Sequence, residues 1–450
     1  MQAQNKLGEK PIGKLLCQFA VPSIISMLVM ALYNIVDQFF IGRKIGELGN
    51  AATNIVFPLS TSCIALALLC GIGGAAAFNL TLGRGDKNKA MYYVGNALSL
   101  MAISGVTLFA FVQLFLPQML TLFGCPDNVY DYAVEYTRIT AIGFPFVILS
   151  SGGSNLVRAD GSPTYSMLCN LAGAIVNTIL DPILIFGLDM DMSGAAIATI
   201  FGQIVSAIMV LIYIKHFKTG KLSLNHLKPK VDYIVKIASL GATPCFNQLA
   251  MMIVQITLNK SLTYYGAKSS YGESVPLACA GIISKVNQVY FSFVIGLSQG
   301  MQPIISFNYG AKKYERVKKT YKLAVTFGFA ISVVAFFIFQ IFPKQITEIF
   351  GNGTESETYF NFAISYFRIF LLGTFLNCMQ PLTSNFFTAI GKPKRGIFLS
   401  LTRQIIFLLP LILIFPLFMG IDGIMYSGPI ADISAAVLSI AMFLNERRKM

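Results

Sequence analysis

Twelve apolar stretches follow one another along this chain, and short polar segments separate them. A helix needs about 20 apolar residues to cross the roughly 30 Å hydrocarbon core of a bilayer, and every stretch is long enough. Charged residues make up only 12% of the chain, about half their usual share in soluble proteins. We therefore predict an all-α membrane protein with twelve transmembrane helices, at residues 15–40, 52–78, 91–115, 136–157, 164–188, 194–214, 236–262, 277–307, 322–342, 361–388, 397–419 and 424–444.

The net charge of +14 follows the predicted topology. Nearly all Lys and Arg residues lie in alternate segments between the spans, starting with the N-terminus, and such basic loops remain in the cytoplasm. We therefore expect a multi-pass protein of the cytoplasmic membrane with both termini inside. The lipid bilayer, and no nucleic acid, is the expected partner of these loops. We also expect residues 1–14 to be retained, because no signal-peptide pattern follows them.

The second half of the chain repeats the first. Ala-Asp-Gly-Ser-Pro at 159–163 matches Ala-Ile-Gly-Lys-Pro at 389–393, and Tyr-Thr-Arg-Ile at 136–139 matches Tyr-Phe-Arg-Ile at 366–369, both 230 residues on. Six spans are an even number, so both copies enter the membrane from the same side. This predicts two six-helix lobes related by a pseudo-two-fold axis along the membrane normal. We place the first lobe at 1–214, a basic cytoplasmic linker at 215–236 and the second lobe at 237–450.

Two carboxylates, Asp37 and Asp181, lie inside predicted spans of the first lobe. An ionised Asp at bilayer depth is costly, so it faces the protein interior or a wet cavity and often marks an ion path. The repeat places Asn259 and Leu409 at the equivalent positions of the second lobe. A requirement of the fold would recur in both copies, so this asymmetry favours a functional role. The alternative is that both aspartates lie just under the headgroups or accept hydrogen bonds from backbone amides, with Asp181 and Pro182 simply ending a helix.

Helical spacing places Asn34 beside Asp37 and Asn177 beside Asp181. Such a carboxylate pair with amide neighbours can bind a proton or Na⁺ on one side of a membrane and release it on the other. Pro22 interrupts the first span and predicts a kinked or loosened helix.

Further polar side chains are candidates for a substrate cavity. Gln248, Gln255 and Asn259 share one face of the seventh span. Asn34 on the first span is a further candidate. Amides between helices can equally serve as packing contacts.

The sequence contains no motif for ATP hydrolysis or for binding of a cofactor. The chain has no Walker A sequence, its eight cysteines are not at metal-ligand spacing, and its two histidines lie together in the linker. We therefore expect no enzyme, no cofactor and no metal site other than a possible Na⁺ site at Asp37 and Asp181. The energy for transport would come from an H⁺ or Na⁺ gradient.

The chain resembles the multidrug and toxic compound extrusion (MATE) transporters, in particular their MepA-like branch. The resemblance rests on Pro22 with residues 33–42, on residues 180–186, and above all on GLSQGMQPIISFNYGA at 296–311. It implies secondary active export of amphipathic, often cationic, compounds by antiport with H⁺ or Na⁺. It also implies a cation site that contains Asp37, Asn177, Asp181 and Thr199, with Asn155 matching less closely and Pro22 at a bending position.

Two alternatives remain open at this point. A flippase for lipid-linked saccharides, in the same superfamily, would need a strongly cationic cavity, and few basic residues, such as Lys260, Lys285 and Arg403, lie inside spans. A membrane-embedded transferase would need an acidic cluster or a histidine-based site. We expect a monomer.

Overall fold

The computed structural model describes residues 6–123, 125–272, 274–350 and 357–450, and these residues form helices and turns with no β-strand. The helices are α1 Ile12–Lys44, α2 Glu47–Gly83, α3 Lys87–Leu122, α4 Asp127–Ile142, α5 Phe144–Ala159, α6 Pro163–Pro182, α7 Asp191–Lys215, α8 Leu224–Leu227, α9 Val231–Ala267, α10 Ser274–Gly310, α11 Tyr314–Ile341, α12 Pro343–Phe350, α13 Glu357–Phe370, α14 Met379–Ala389, α15 Pro393–Leu401, α16 Leu409–Met419 and α17 Ile421–Arg447.

The described part of the chain confirms the twelve predicted spans. Eleven helical stretches are long and apolar enough to cross a membrane when α13 with α14 and α15 with α16 are each counted as one, and α4 with α5 forms a twelfth span. That fourth span differs from the prediction of a single segment at 136–157, because α4 and α5 meet at Gly143 with a bend of 53°. Pro145, at the start of α5, cannot donate a backbone hydrogen bond to the preceding turn, which explains the break. The tenth span is likewise divided, by a 3-10 turn at Leu372–Leu376.

Helix α1 runs without interruption through Pro22. Proline has no backbone N–H to donate, so the helix lacks one internal hydrogen bond at this position. The structure therefore contains a weak point in a continuous helix, and bending at Pro22 remains a prediction.

Two apolar cores correspond to two lobes of six spans, but the first halves of α1 and α9 cross between them. Leu15 and Phe19 of α1 pack in the core of the second lobe, whereas Ile237 and Leu240 of α9 pack in the core of the first. The core of each lobe thus contains the first half of the other lobe's first helix. The limits of the lobes at 214 and 237 remain a prediction.

The lobes touch closely at the end of the bundle where α1 begins. A Cβ atom added to Gly73 of α2 would lie 2.1 Å from the Ile237 carbonyl oxygen of α9, and one added to Gly300 of α10 would lie 2.5 Å from the Ala20 Cα of α1. At the opposite end of α10, no atom lies within 4 Å of a Cβ added to Gly281. The lobes are therefore in close contact at one end of the molecule, and towards the other end α1 and α10 pack in different cores, at Ile41 and Ile283.

The segment between the lobes is held against the first lobe. The Asp160 carboxylate accepts hydrogen bonds from the Thr219 backbone N–H at 3.0 Å and from other groups of this segment. Burial raises the pKa of the Asp160 carboxyl, and these hydrogen bonds oppose that rise. Further along, Asn96 and Ser99 of α3 donate to the carbonyls of His226 and Leu227, at 3.2 and 2.6 Å.

Candidate functional site

A cavity of about 190 Å³ lies inside the first lobe, between α1, α2 and α4 to α7. Polar side chains from all six of these helices converge on it. They include Tyr33, Asn34, Asp37, Asn177, Thr199 and Gln203.

Asp37 brings a carboxylate to this cavity from the second half of α1. The side chain is half-buried, and its Oδ1 atom is buried without a hydrogen-bond donor in the described part of the chain. Asn34 lies one turn before it on the same helix, is exposed, and donates to the Met30 carbonyl at 2.8 Å.

Asp181 reaches the same region from the end of α6. It is fully buried, and the Asn177 amide Nδ2 donates to its Oδ1 at 3.3 Å. The same Nδ2 atom also contacts the Thr199 hydroxyl oxygen of α7 at 3.4 Å. Asn177 therefore links Asp181 to a cavity that Asp37 and Thr199 line.

Four acceptor oxygens at this site are buried and receive no hydrogen bond within the described residues. They are Asp37 Oδ1, Asp181 Oδ2, Asn177 Oδ1 and Gln203 Oε1. A buried acceptor without a donor is rare in a native structure and needs an explanation. Carboxylate and amide oxygens are the ligands of hard cations, and a carboxylate can equally bind a proton. These oxygens can thus bind a small cation or a hydrated proton.

Other predicted site residues lie elsewhere. Asn155 on α5 accepts a hydrogen bond from Arg158 at 2.9 Å and donates to the Ser151 carbonyl at 2.9 Å, and it does not line the cavity. In the second lobe, Gln255 donates to Asn259 at 2.9 Å, and Gln248 lies two turns before Gln255 on α9. These amides do not line the cavity of the first lobe.

Comparison with known proteins places the chain in a family. The MatE family model matches residues 22–183 and 245–414, once in each lobe. The chain belongs to the MatE family. Its relatives include proteins named multidrug export protein MepA. The protein from Staphylococcus haemolyticus is 25% identical over 98% of this chain and 95% of its own length, and the protein from Staphylococcus aureus strain N315 is 26% identical over the same shares.

A solved structure described as the outward-facing conformation of a multidrug resistance MATE family transporter has the same fold. It superimposes with a TM-score of 0.91 at 22% sequence identity, over 99% of this chain and 98% of its own. The MatE fold of twelve transmembrane helices in two lobes is therefore shared along the whole chain.

Sequence reasoning missed several cavity residues of this MatE protein. Tyr33 and Gln203 lie four residues from Asp37 and Thr199, respectively, so helical spacing could have found both. Asn170 had no such signal, because its relevance comes from tertiary contacts. Its amide donates to the Ser26 hydroxyl oxygen at 2.6 Å and so ties α6 to α1 one turn beyond Pro22.

The second lobe has a buried ion pair where the first lobe has part of its cavity. Arg403 Nε donates to Asp432 Oδ1 at 2.5 Å, and Asn377 donates to the other carboxylate oxygen at 3.3 Å. A Cβ added to Gly373 would contact Asp432, just as one added to its first-lobe equivalent Gly143 would contact Gln203. Asp432 is thus neutralised within its own lobe.

Among the described residues, no group of three or more His, Cys, Asp and Glu side chains could hold a metal ion.

Proposed function

We propose that this MatE-family protein is a secondary active multidrug exporter that exchanges amphipathic, often cationic, compounds for H⁺ or Na⁺. The observation that carries the proposal is the set of four buried acceptor oxygens around Asp37 and Asp181. A site built from two carboxylates and two amide oxygens is suited to a cation that enters and leaves. The names of the MepA relatives support multidrug export.

The size of the first-lobe cavity favours an ion over a drug as its occupant. Pockets for drug-sized molecules usually measure about 300–1,000 Å³. The cavity has about 190 Å³, which corresponds to roughly six water molecules at about 30 Å³ each. In the proposal, the coupling ion therefore binds inside the first lobe, and the exported compound binds in the wider space between the lobes.

The cleft between the separated halves of α1, α2, α9 and α10 is the proposed substrate site. Asn34 on α1 and Gln255 and Asn259 on α9 would provide hydrogen bonds there. Gln255 and Asn259 lie on the same side of α9 as Ile237 and Gly241, which contact α2 where the lobes are closed. Towards the open end, this side of α9 would therefore face the cleft.

The contacts between the lobes support a proposal of alternating access. The closed end carries the basic loops, so we assign it to the cytoplasm and assign the structure to an outward-facing state. Uptake of H⁺ or Na⁺ at Asp37 and Asp181 from outside would remove the charge repulsion between the two carboxylates. Bending of α1 at Pro22 and rocking of the lobes would then open the cytoplasmic side. Thr199 and Asn177 would hold the ion site together during this change.

Ion gradients supply enough energy for this exchange. One pH unit is worth about 1.4 kcal/mol per proton, and 100 mV is worth about 2.3 kcal/mol per charge. Together they support a gradient of roughly a few hundredfold for a substrate without net charge. For a monovalent cation the pH unit alone supports roughly tenfold, because one-for-one exchange of two cations moves no net charge.

Export of a saccharide-linked lipid receives less support. Such a substrate carries a pyrophosphate and would need a strongly cationic cleft, but the Arg403 charge is already neutralised by Asp432.

The test uses purified protein in lipid vesicles. A cationic dye such as ethidium is loaded, and an H⁺ gradient and a Na⁺ gradient are imposed separately. We expect one gradient to drive dye movement that empty vesicles do not show. Equal dye movement with and without protein under both gradients would contradict the proposal.

A further inference from the structure

One side of α10 faces α1 along the whole contact between the lobes. Gly300 and Gly296 approach the α1 backbone at Ala20 and Ile24, and the Ser292 hydroxyl donates to the Met27 carbonyl at 3.3 Å. Lys285 lies seven residues, or two helical turns, before Ser292 and therefore projects from the same side of α10.

The cleft opens along this side of α10. Ser292, Gly296 and Gly300 are buried, Lys285 is half-buried, and Gly281 is exposed with no atom within 4 Å of an added Cβ. Lys285 therefore lies on the wall of the cleft, where the second lobe separates from the first. The two helices are antiparallel, so counting outward from the Gly296 contact with Ile24 places Lys285 level with Ile35. This is the depth of the α1 turn that carries Asn34 and Asp37.

Lys285 has no ion-pair partner within the described residues. By contrast, Arg403, a cation buried inside the second lobe, is paired with Asp432. The cleft thus has an ammonium group on its second-lobe wall, at a depth similar to that of the Asp37 carboxylate inside the first lobe. A ligand with only a positive charge would be repelled by the first and attracted towards the second.

We propose that Lys285 determines substrate specificity by selecting amphipathic compounds that carry a carboxylate in addition to their cationic group. The substrate carboxylate would accept a charge-assisted hydrogen bond from the Lys285 ammonium, while its cationic part lies towards the first lobe. This inference rests on the proposed export function, and it states that zwitterions are preferred to simple cations among the exported compounds.

A matched pair of dyes tests this selection. Rhodamine B has a free carboxylate and is zwitterionic, and its ethyl ester has the same ring system with only the positive charge. The affinity of the purified protein for each dye is measured by fluorescence anisotropy, and export of each dye is measured in vesicles. The variants are Lys285→Gln, Lys285→Arg and, as a control, Lys260→Gln. Lys260 is exposed on α9 and follows Asn259, so it projects about 100° away from the amide face.

We expect Lys285→Gln to weaken binding of rhodamine B about five- to tenfold and to leave binding of the ester unchanged or tighter. Lys285→Arg should keep the preference of the wild-type protein, and Lys260→Gln should alter neither dye. An equal change for both dyes, or no change for either, would overturn the inference even if export is intact. Conversely, a preference that depends on Lys285 in binding, without gradient-driven export of either dye, would contradict the export function and leave the binding role of Lys285 standing.

Discussion

The Asn177 amide nitrogen lies 3.3 Å from Oδ1 of Asp181 and 3.4 Å from the Thr199 hydroxyl oxygen. One side chain thus connects a fully buried carboxylate with a residue that lines the cavity of the first lobe. Asn177 is therefore the structural link between the two proposed halves of the cation site.

Removal of this link should impair transport. A hydrogen bond to a charged group contributes about 1.5–3 kcal/mol, and 1.4 kcal/mol corresponds to a factor of ten. We expect Asn177→Ala to lower the rate of dye export at least tenfold, and Thr199→Val to have a smaller effect because Thr199 touches only Asn177 in this group. Initial rates in vesicles, measured over a range of ion concentrations, would show this order. The reverse order would argue against Asn177 as the link.

The close contact of Gly73 with Ile237 should hold the lobes together at the closed end. A Cβ at Gly73 would lie 2.1 Å from a backbone oxygen, so Gly73→Ala must separate α2 from α9. We expect amide hydrogen exchange in the facing segments of these helices to become roughly tenfold faster, because opened states are more populated. Gly281→Ala is the matched control, since its Cβ would meet no atom within 4 Å. Similar exchange rates in the two variants would contradict this assignment.

The Arg403–Asp432 pair should behave as a buried ion pair. Removing one partner leaves an uncompensated charge, which typically costs about 3–5 kcal/mol, whereas replacing both by apolar residues can be nearly neutral. We expect Arg403→Met and Asp432→Leu each to lower the thermal stability of the purified protein strongly, and the double variant to recover most of the loss. If the two single effects simply added in the double variant, the residues would not form a coupled pair.

Much of the fold follows from the sequence because membrane spans have a strong local signature. Apolar length alone predicts the twelve spans, and the repeat predicts the two lobes. The break between α4 and α5 at Gly143 is not predictable in this way, since apolar composition continues across it. The crossing of α1 and α9 between the lobes also depends on tertiary packing, such as Phe19 in the core of the second lobe.

The candidate site was predictable only where chemistry and helical spacing coincide. A carboxylate inside an apolar span is costly, so Asp37 and Asp181 stand out, and Asn177 follows from its position one turn away. Gln203 and Asn170 resemble many other polar residues in spans, and only the folded chain shows which of them face the cavity. The ion pair of Arg403 and Asp432 joins different spans and has no local signal.

The most direct test of ion coupling compares Asp37→Asn with Asp422→Asn in the vesicle assay. Asp422 lies exposed at the start of α17, so its replacement removes one carboxylate without touching the cavity. We expect Asp422→Asn to export a cationic dye like the wild-type protein under the effective gradient. Asp37→Asn should bind the dye and lose gradient-driven export, because an amide can neither bind a proton nor supply the negative charge for Na⁺. Gradient-driven export by Asp37→Asn at the wild-type rate would contradict the role of Asp37 in coupling.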